Sequence, residues 1–269
     1  MWMRRALRAP LLRTIDVFES AFGLTDPLVP PRAVRFVGSG DFRRIGEQYA
    51  ALFQQHGHIG HDSVVLDIGS GIGRMAGPLT RVIGPGGRYE GFDIVASGVE
   101  WCQQHITPRY PQFRFQLADV HNPVYHPGGR QQAHEYRFPF PDATFDFVFA
   151  TSVFTHMLSR DVARYLAEIA RVLRPGGRSL LTWFVIDDGV RQRSAAGQAE
   201  FAFAHRHDGC FVEIADRPEE AVGYEVSELR QLYQQAGLQV IDPILYGQWS
   251  GRSDFTDHQD IVLAARERA

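Results

Sequence analysis

The chain has 269 residues and a formal net charge of −3, so no global basic surface marks it as a nucleic-acid binder. With 44% hydrophobic and 22% charged residues, it has the composition of a globular protein long enough for one large domain or for a domain with an elaborated cap. Two cysteines, Cys102 and Cys210, make neither a disulfide framework nor a zinc cluster, and no apolar run approaches the ~20 residues of a membrane span. A reducing cytoplasm is the default compartment. Every basic residue is arginine, which reads as a compositional bias of the source.

Residues 1–30 interleave Arg4, Arg5, Arg8 and Arg13 with Trp2, Leu7, Leu11, Leu12, Ile15, Phe18 and Phe22. This amphipathic stretch is interrupted by Pro10 and lacks the apolar core of a secretory signal. It reads as a cap or dimer helix packed on the main domain, ahead of the alternatives of a membrane-surface helix or a transit peptide. A turn-rich linker, Asp26-Pro27 to Pro30-Pro31, leads to Phe36-Val37-Gly38-Ser39-Gly40-Asp41-Phe42 and a helix through about Gln55. That helix either packs on the sheet edge or forms a lid that brings Asp41, Arg43 and Tyr49 to a ligand.

Val64-Val65-Leu66-Asp67-Ile68 reads as a buried parallel strand, and Gly69-Ser70-Gly71-Ile72-Gly73-Arg74 as a tight turn. Met75, Leu79, Val82 and Ile83 predict one face of a helix over 75–83. Strand, glycine turn and helix open a nucleotide-binding α/β unit, in which backbone N–H groups approach a ligand closely. A dinucleotide fingerprint would need glycine at 74, where arginine stands. A second strand, Arg88-Tyr89-Glu90-Gly91-Phe92-Asp93-Ile94, ends in an acid 20 residues past Gly73. That spacing suits a carboxylate accepting two ribose hydroxyls, with Ile94 against a base; the alternative is a cap for a helix at 97–106.

A third strand, Phe113 to Val120, ends in Asp119. Residues 121–141 are a Pro/Gly/His-rich insertion whose histidines, His121, His126 and His134, lack the spacing of a metal site, so a surface loop bordering the pocket is expected. Phe145 to Ala150 is the fourth strand, and its exit, Thr151-Ser152-Val153-Phe154-Thr155-His156-Met157, falls where ligands of doubly wound sheets bind. His156 is either a general base or a histidine that positions a loop. A helix over 161–173 ends at Arg174-Pro175-Gly176-Gly177, and residues 179–186 form strand five. Residues 187–223 break the rhythm. Phe201 and Phe203 there wall a pocket or pack a cap, and His205-Arg206-His207-Asp208 reads as a solvated loop. A helix from Ser227 stops at Gly237, and 238–246 and 260–265 form a closing pair of strands, with Tyr246, Trp249 and Arg252 between them.

Four features agree in order: the Asp-x-Gly-x-Gly-x-Gly turn at 67–73, Asp93, Asp119, and Leu-Arg-Pro-Gly-Gly at 173–177. Together they resemble the class I S-adenosylmethionine (SAM) dependent methyltransferases over residues 60–266, in a bacterial branch of small-molecule enzymes of type 11 and type 12. The resemblance implies a doubly wound, seven-stranded Rossmann-like α/β sheet of order 3-2-1-4-5-7-6 with strand seven antiparallel. It implies an N-terminal helical cap or lid over 1–58, a SAM-binding domain over 59–269 and a cap insertion at 187–223. SAM is the implied cofactor and S-adenosylhomocysteine the product. The implied cofactor-binding residues are Asp67, Gly69, Ser70, Gly71, Gly73, Arg74, Asp93, Ile94, Asp119, Val120, Thr151 and Ser152. In that family the glycine turn cradles the amino-acid end of SAM, Asp67 fixes the turn or holds the ammonium, and Asp119 accepts from the adenine amino group.

SAM carries an activated methyl, so the protein must mainly align a nucleophile and exclude water, with a base needed for a weakly acidic hydroxyl. The strand-four exit lacks the Asn/Asp-Pro-Pro-Tyr/Phe of amine methylases, no cysteine follows a proline, and Thr151 stands where metal-dependent catechol-type enzymes carry an acid. The expectation is metal-independent, in-line O-methylation of a small molecule such as a sugar, lipid or secondary metabolite, with His156 as base. Neither nucleic acid nor a membrane span is expected, and a homodimer is compatible with the cap. The competitors are N- or C-methylation, RNA methylation guided by the arginines at 4–13, and a SAM-binding module without transfer or a fold relative using another SAM chemistry.

Overall fold

The computed structural model describes residues 26–36 and 40–268. The amphipathic segment expected before residue 26, and the glycine-containing residues 37–39, lie outside the described residues.

Seven strands form the main sheet: β1 (Val64–Ile68), β2 (Arg88–Asp93), β3 (Phe113–Leu117), β4 (Phe145–Ala150), β5 (Leu173–Trp183), β10 (Leu238–Leu245) and β11 (Asp260–Arg266). Their order is β3-β2-β1-β4-β5-β11-β10, and β11 runs antiparallel to both neighbours. This is the order and strand sense that the motifs imply. β1 pairs in parallel with β2 on one side and β4 on the other.

Alternation along each strand feeds two cores. Val65, Phe147 and Phe149 face one side, where helix α1 (Phe42–Gly57) and helix α3 (Ala96–His105) pack. Leu66, Ile68, Val148 and Ala150 face the other, against helix α4 (Ser159–Val172) and helix α6 (Val226–Gln235). α1 is anchored in its core by Phe53, fully buried with its ring 4.2 Å from that of Phe149 and 5.4 Å from that of Phe147. Burial of such a ring is worth about 1.5–3 kcal/mol. The C-terminal half of α1 is thus part of the sheet's packing, and its other end reaches the sheet's carboxyl edge.

Some local expectations are corrected. The helix expected over 75–83 is only α2 (Ala76–Leu79); Gly77 and Pro78 lie within it, and turns continue the chain to Ile83. Arg174-Pro175-Gly176-Gly177 does not stand between helix and strand but begins β5, with Gly176 at φ +80° and a register shift opposite Phe145 and Phe147. The insertion is more ordered than its polar sequence suggests. It carries helix α5 (Asp188–Ala195) and strands β7 (His205–His207), β8 (Cys210–Val212) and β9 (Val222–Glu225), which join β6 (Val185–Ile186) in a second sheet of order β6-β9-β8-β7. Strands of two to four residues are too short to show periodicity in the sequence. His205 and His207 lie in β7, and Asp208-Gly209 makes the hairpin turn to β8.

Phe201, Phe203, Phe184 and Trp249 form the aromatic core of this cap, with ring centroids 4.9–6.3 Å apart. Buried Asp260 joins cap and sheet, accepting from Val185 N (2.6 Å), Gly247 N (2.6 Å) and Trp249 Nε1 (2.8 Å). Burial pushes its carboxyl up to about 7 against the pull of those donors. Arg252 lies over the Tyr246 ring at 3.9 Å and pairs with Asp187.

Candidate active site

A cavity of about 660 Å³ opens at the carboxyl ends of β1, β2 and β4, the size class of a small-molecule site. The turn after β1 forms its floor. Gly69 N and Ser70 N both donate to the carbonyl of Phe92, at 2.9 and 3.0 Å, fixing the turn to the end of β2. Gly69 sits at φ +79°, and a Cβ there would stand 2.5 Å from Val153 Cγ2, so only glycine lets this turn close on the exit of β4.

Asp93 braces the turn. One of its oxygens accepts from Gly71 N at 2.7 Å and the other from Val95 N at 2.8 Å. Burial raises its pKa, and these N–H donors pull it back. It therefore holds the turn and the start of α3 together while lining the cavity with Ile94 and Val95.

Asp67 is almost wholly buried at the end of β1. The phenol of Tyr89 donates to one carboxylate oxygen, while the other, Oδ1, has no hydrogen-bond partner among the described residues; nor has the Ser70 hydroxyl. Burial pushes the Asp67 carboxyl up to about 8, Tyr89 opposes that, and the charge of Asp93 adds to it. Buried acceptors without partners are costly, and both residues line the cavity. Two open polar atoms beside a glycine turn fit the ammonium and carboxylate end of an amino acid, the part of SAM that such a turn would receive.

The cavity also takes in Arg74, Val120, Thr151, Ser152 and His156. Arg74 stands 5.2 Å from the Phe42 ring centroid. Ser152, at φ +57°, donates its N–H to Thr182 Oγ1 (2.7 Å) and its hydroxyl to Gln259 Oε1 (3.1 Å). Two residues of the expected cofactor set are not among the lining groups. A Cβ at Gly73 would meet Ile106 Cδ1 at 2.7 Å and Cys102 Sγ at 3.0 Å, so this glycine lets α3 pack beneath the turn. Asp119 is turned toward the 121–141 insertion, where Arg130 pairs with it, Arg130 N donates to it at 3.2 Å and His126 Nε2 lies 3.4 Å away. The Arg130 side chain foremost lowers its pKa.

His156 lies in a short turn (Phe154–His156) after β4. Its Nδ1 is 3.0 Å from the carbonyl of Glu219. A carbonyl only accepts, so Nδ1 carries the proton and Nε2 keeps its lone pair. Burial lowers the imidazole pKa, with the Glu219 carbonyl opposing, so the ring is neutral near pH 7.

Of the three N-terminal residues expected near a ligand, only Tyr49 lines the cavity. Asp41 instead caps α1 by accepting from Arg44 N at 2.9 Å, and Arg43 pairs with Asp26. The Tyr49 phenol donates to Asp257, so α1 is bonded to the segment before β11 at the cavity. Tyr246, Trp249 and Arg252 do not line it. Sequence reasoning missed Tyr89, Glu219, Asp161 and the residues 257–259. Their positions depend on register and on the cap, and only the Tyr89 place in a strand next to β1 offered a signal.

Residues 66–181 match a family model described as a methyltransferase domain. An O-methyltransferase, cnsE, from Penicillium expansum is 28% identical over 180 residues, 66% of this chain and 52% of that protein. The chain spans about half the length, or less, of the curated relatives it matches. Among solved structures, a SAM-dependent methyltransferase from Methanosarcina mazei superposes with a TM-score of 0.55 at 17% identity, covering 81% of this chain and 98% of that one. The [4+2]-cyclase SpnF superposes with the same TM-score at 16% identity, covering 87% and 84%.

Proposed function

We propose that this chain, which carries a methyltransferase domain on the class I SAM-dependent methyltransferase fold, methylates an oxygen of a small-molecule acceptor without a metal, using His156 as general base. The observation that carries this reading is the state of His156. It is half-buried, its Nδ1 lies 3.0 Å from the Glu219 carbonyl and so carries the proton, desolvation lowers its pKa, and it shares one cavity with the open oxygen of Asp67 and the glycine turn. When bound, SAM supplies a methyl carbon activated by its sulfonium and leaves as S-adenosylhomocysteine.

The chain's own groups would do the rest. Asp67 and Ser70 bind the amino-acid end, the backbone of 69–71 lies along it, and Asp93 and Ile94 meet the ribose and base. Asp93 keeps unused lone pairs on both oxygens beyond the two backbone bonds it accepts. Nε2 of His156 takes the proton of the acceptor hydroxyl, worth about 10²–10⁴ in rate. Tyr49 and Asp257 close the cavity against water. The O-methyltransferase relative supports oxygen as the atom attacked.

The test is transfer of labelled methyl from SAM to a hydroxyl-bearing acceptor panel, with NMR of the product to identify the atom. Label on oxygen supports the reading, and label on nitrogen or carbon overturns it. The cyclase with the same fold makes a second readout necessary: an acceptor consumed without release of S-adenosylhomocysteine would mark a reaction other than transfer.

A further inference from the structure

The wall of the cavity beyond His156 is built from four separate segments. His121 comes from the loop after β3, His134 from the turn Ala133–Glu135, Asp161 from the first turn of α4, and Glu219 from the turn Pro218–Glu220 of the cap. Asp161 is partly satisfied, since His134 Nδ1 lies 3.3 Å from its Oδ1. Glu219 is different. Its backbone carbonyl holds His156 Nδ1, yet its carboxylate, half-buried on the same cavity, makes no hydrogen bond or ion pair among the described residues. Burial and the nearby charge of Asp161 raise its pKa, and His121 on the same wall opposes them.

We infer that the Glu219 side chain anchors the acceptor, and that the acceptor it selects is a neutral polyhydroxylated molecule bearing a second hydroxyl next to the one that is methylated. This deepens the O-methylation reading and rests on it. One residue fixes the imidazole through its backbone and faces the cavity with its side chain. The proton taken by Nε2 and the donor required by the carboxylate therefore belong to neighbouring positions of one molecule. Charge narrows the class further. The sole arginine among the described lining residues is Arg74, on the glycine-turn side over Phe42, so this wall offers no guanidinium to a phosphate or carboxylate acceptor. The imidazoles of His121, His134 and His156 can donate to or accept from hydroxyls.

The test is ligand-observed NMR on protein saturated with S-adenosylhomocysteine, with cyclohexanol, trans-1,2-cyclohexanediol, cyclohexylamine and methyl α-D-glucopyranoside as probes. The diol is expected to bind about tenfold tighter than the mono-alcohol, the scale of one hydrogen bond to a charged group. Glu219→Ala should bring the diol down to the mono-alcohol's affinity, with binding of the mono-alcohol and of S-adenosylhomocysteine unchanged. Glu219→Asp should recover part of the difference. Equal binding of diol and mono-alcohol, no binding of diol or glucoside, or tighter binding of the amine would overturn the inference. If S-adenosylhomocysteine itself does not bind, the cofactor reading fails, and the same probe series on the ligand-free protein still decides the role of Glu219.

Discussion

The phenol of Tyr89 donates to one oxygen of Asp67, and the other oxygen of Asp67 is buried beside the glycine turn without a partner. The two residues sit on neighbouring parallel strands, where Val65 is opposite Tyr89 and Asp67 is opposite Gly91. An acid held this way, with its carboxyl pushed up to about 8, is mostly protonated at neutral pH until a cation reaches it. Binding of the SAM ammonium should therefore expel a proton. Affinity should rise with pH between 6 and 8, by up to about tenfold per unit. Calorimetry in two buffers of different ionisation enthalpy measures the proton directly, and Asp67→Asn should abolish its release.

The same titration acts on stability, with its sign fixed by linkage. In the unfolded chain this carboxyl titrates near ~3.9, so the folded state binds more protons between that value and about 8. The ligand-free protein loses stability as pH rises through that window. Asp67→Asn still accepts from Tyr89 and has no charge to bury. Its Tm, relative to the parent, should improve from pH 5 to pH 8 in thermal melts.

Asp93→Ala removes the acceptor for Gly71 N and Val95 N as well as the expected ribose contact. SAM affinity should fall by roughly 1.5–3 kcal/mol, the scale of hydrogen bonds to a charged group. Unchanged affinity in a titration of the folded variant removes the ribose role.

His156→Ala should lower turnover by about 10²–10⁴ and leave SAM affinity intact. Because burial holds the imidazole below its ordinary value, the acid limb of the kcat/KM profile should lie below pH ~6.5 and vanish in the variant. Near-normal turnover would make His156 a loop-positioning residue.

Tyr49→Phe keeps the ring packed 5.6 Å from that of Phe53 and loses only the bond to Asp257. The cost to global stability should be about 0.5–1.5 kcal/mol. Release of S-adenosylhomocysteine in stopped flow should be several times faster if this bond closes the cavity.

Much of the main sheet could be read from the chain because its strands carry branched or aromatic residues and several of them, β1, β2 and β10 among them, close on an acid or a glycine turn. β1, β2, β4 and the closing pair β10 and β11 fall within a residue or two of the reading. Asp67, Asp93 and His156 were visible for the same reason, since strand ends mark where ligands approach such sheets. The cap was not legible. Its strands are two to four residues long, and its polar surface hides a core of Phe184, Phe201, Phe203 and Trp249. Asp260 accepts from Val185 N, 75 residues before it, and the Glu219 carbonyl meets His156 Nδ1, 63 residues before it, relationships that no local pattern encodes. Asp119 shows the converse: the motif is intact, yet Arg130, 11 residues on, occupies its carboxylate.

The most direct test of the central claim is calorimetric titration of the full chain with SAM and with S-adenosylhomocysteine. The account predicts saturable one-site binding of both, with proton release on SAM binding below pH 8. Absence of binding to either, in a sample whose thermal melt shows a folded protein, would contradict it.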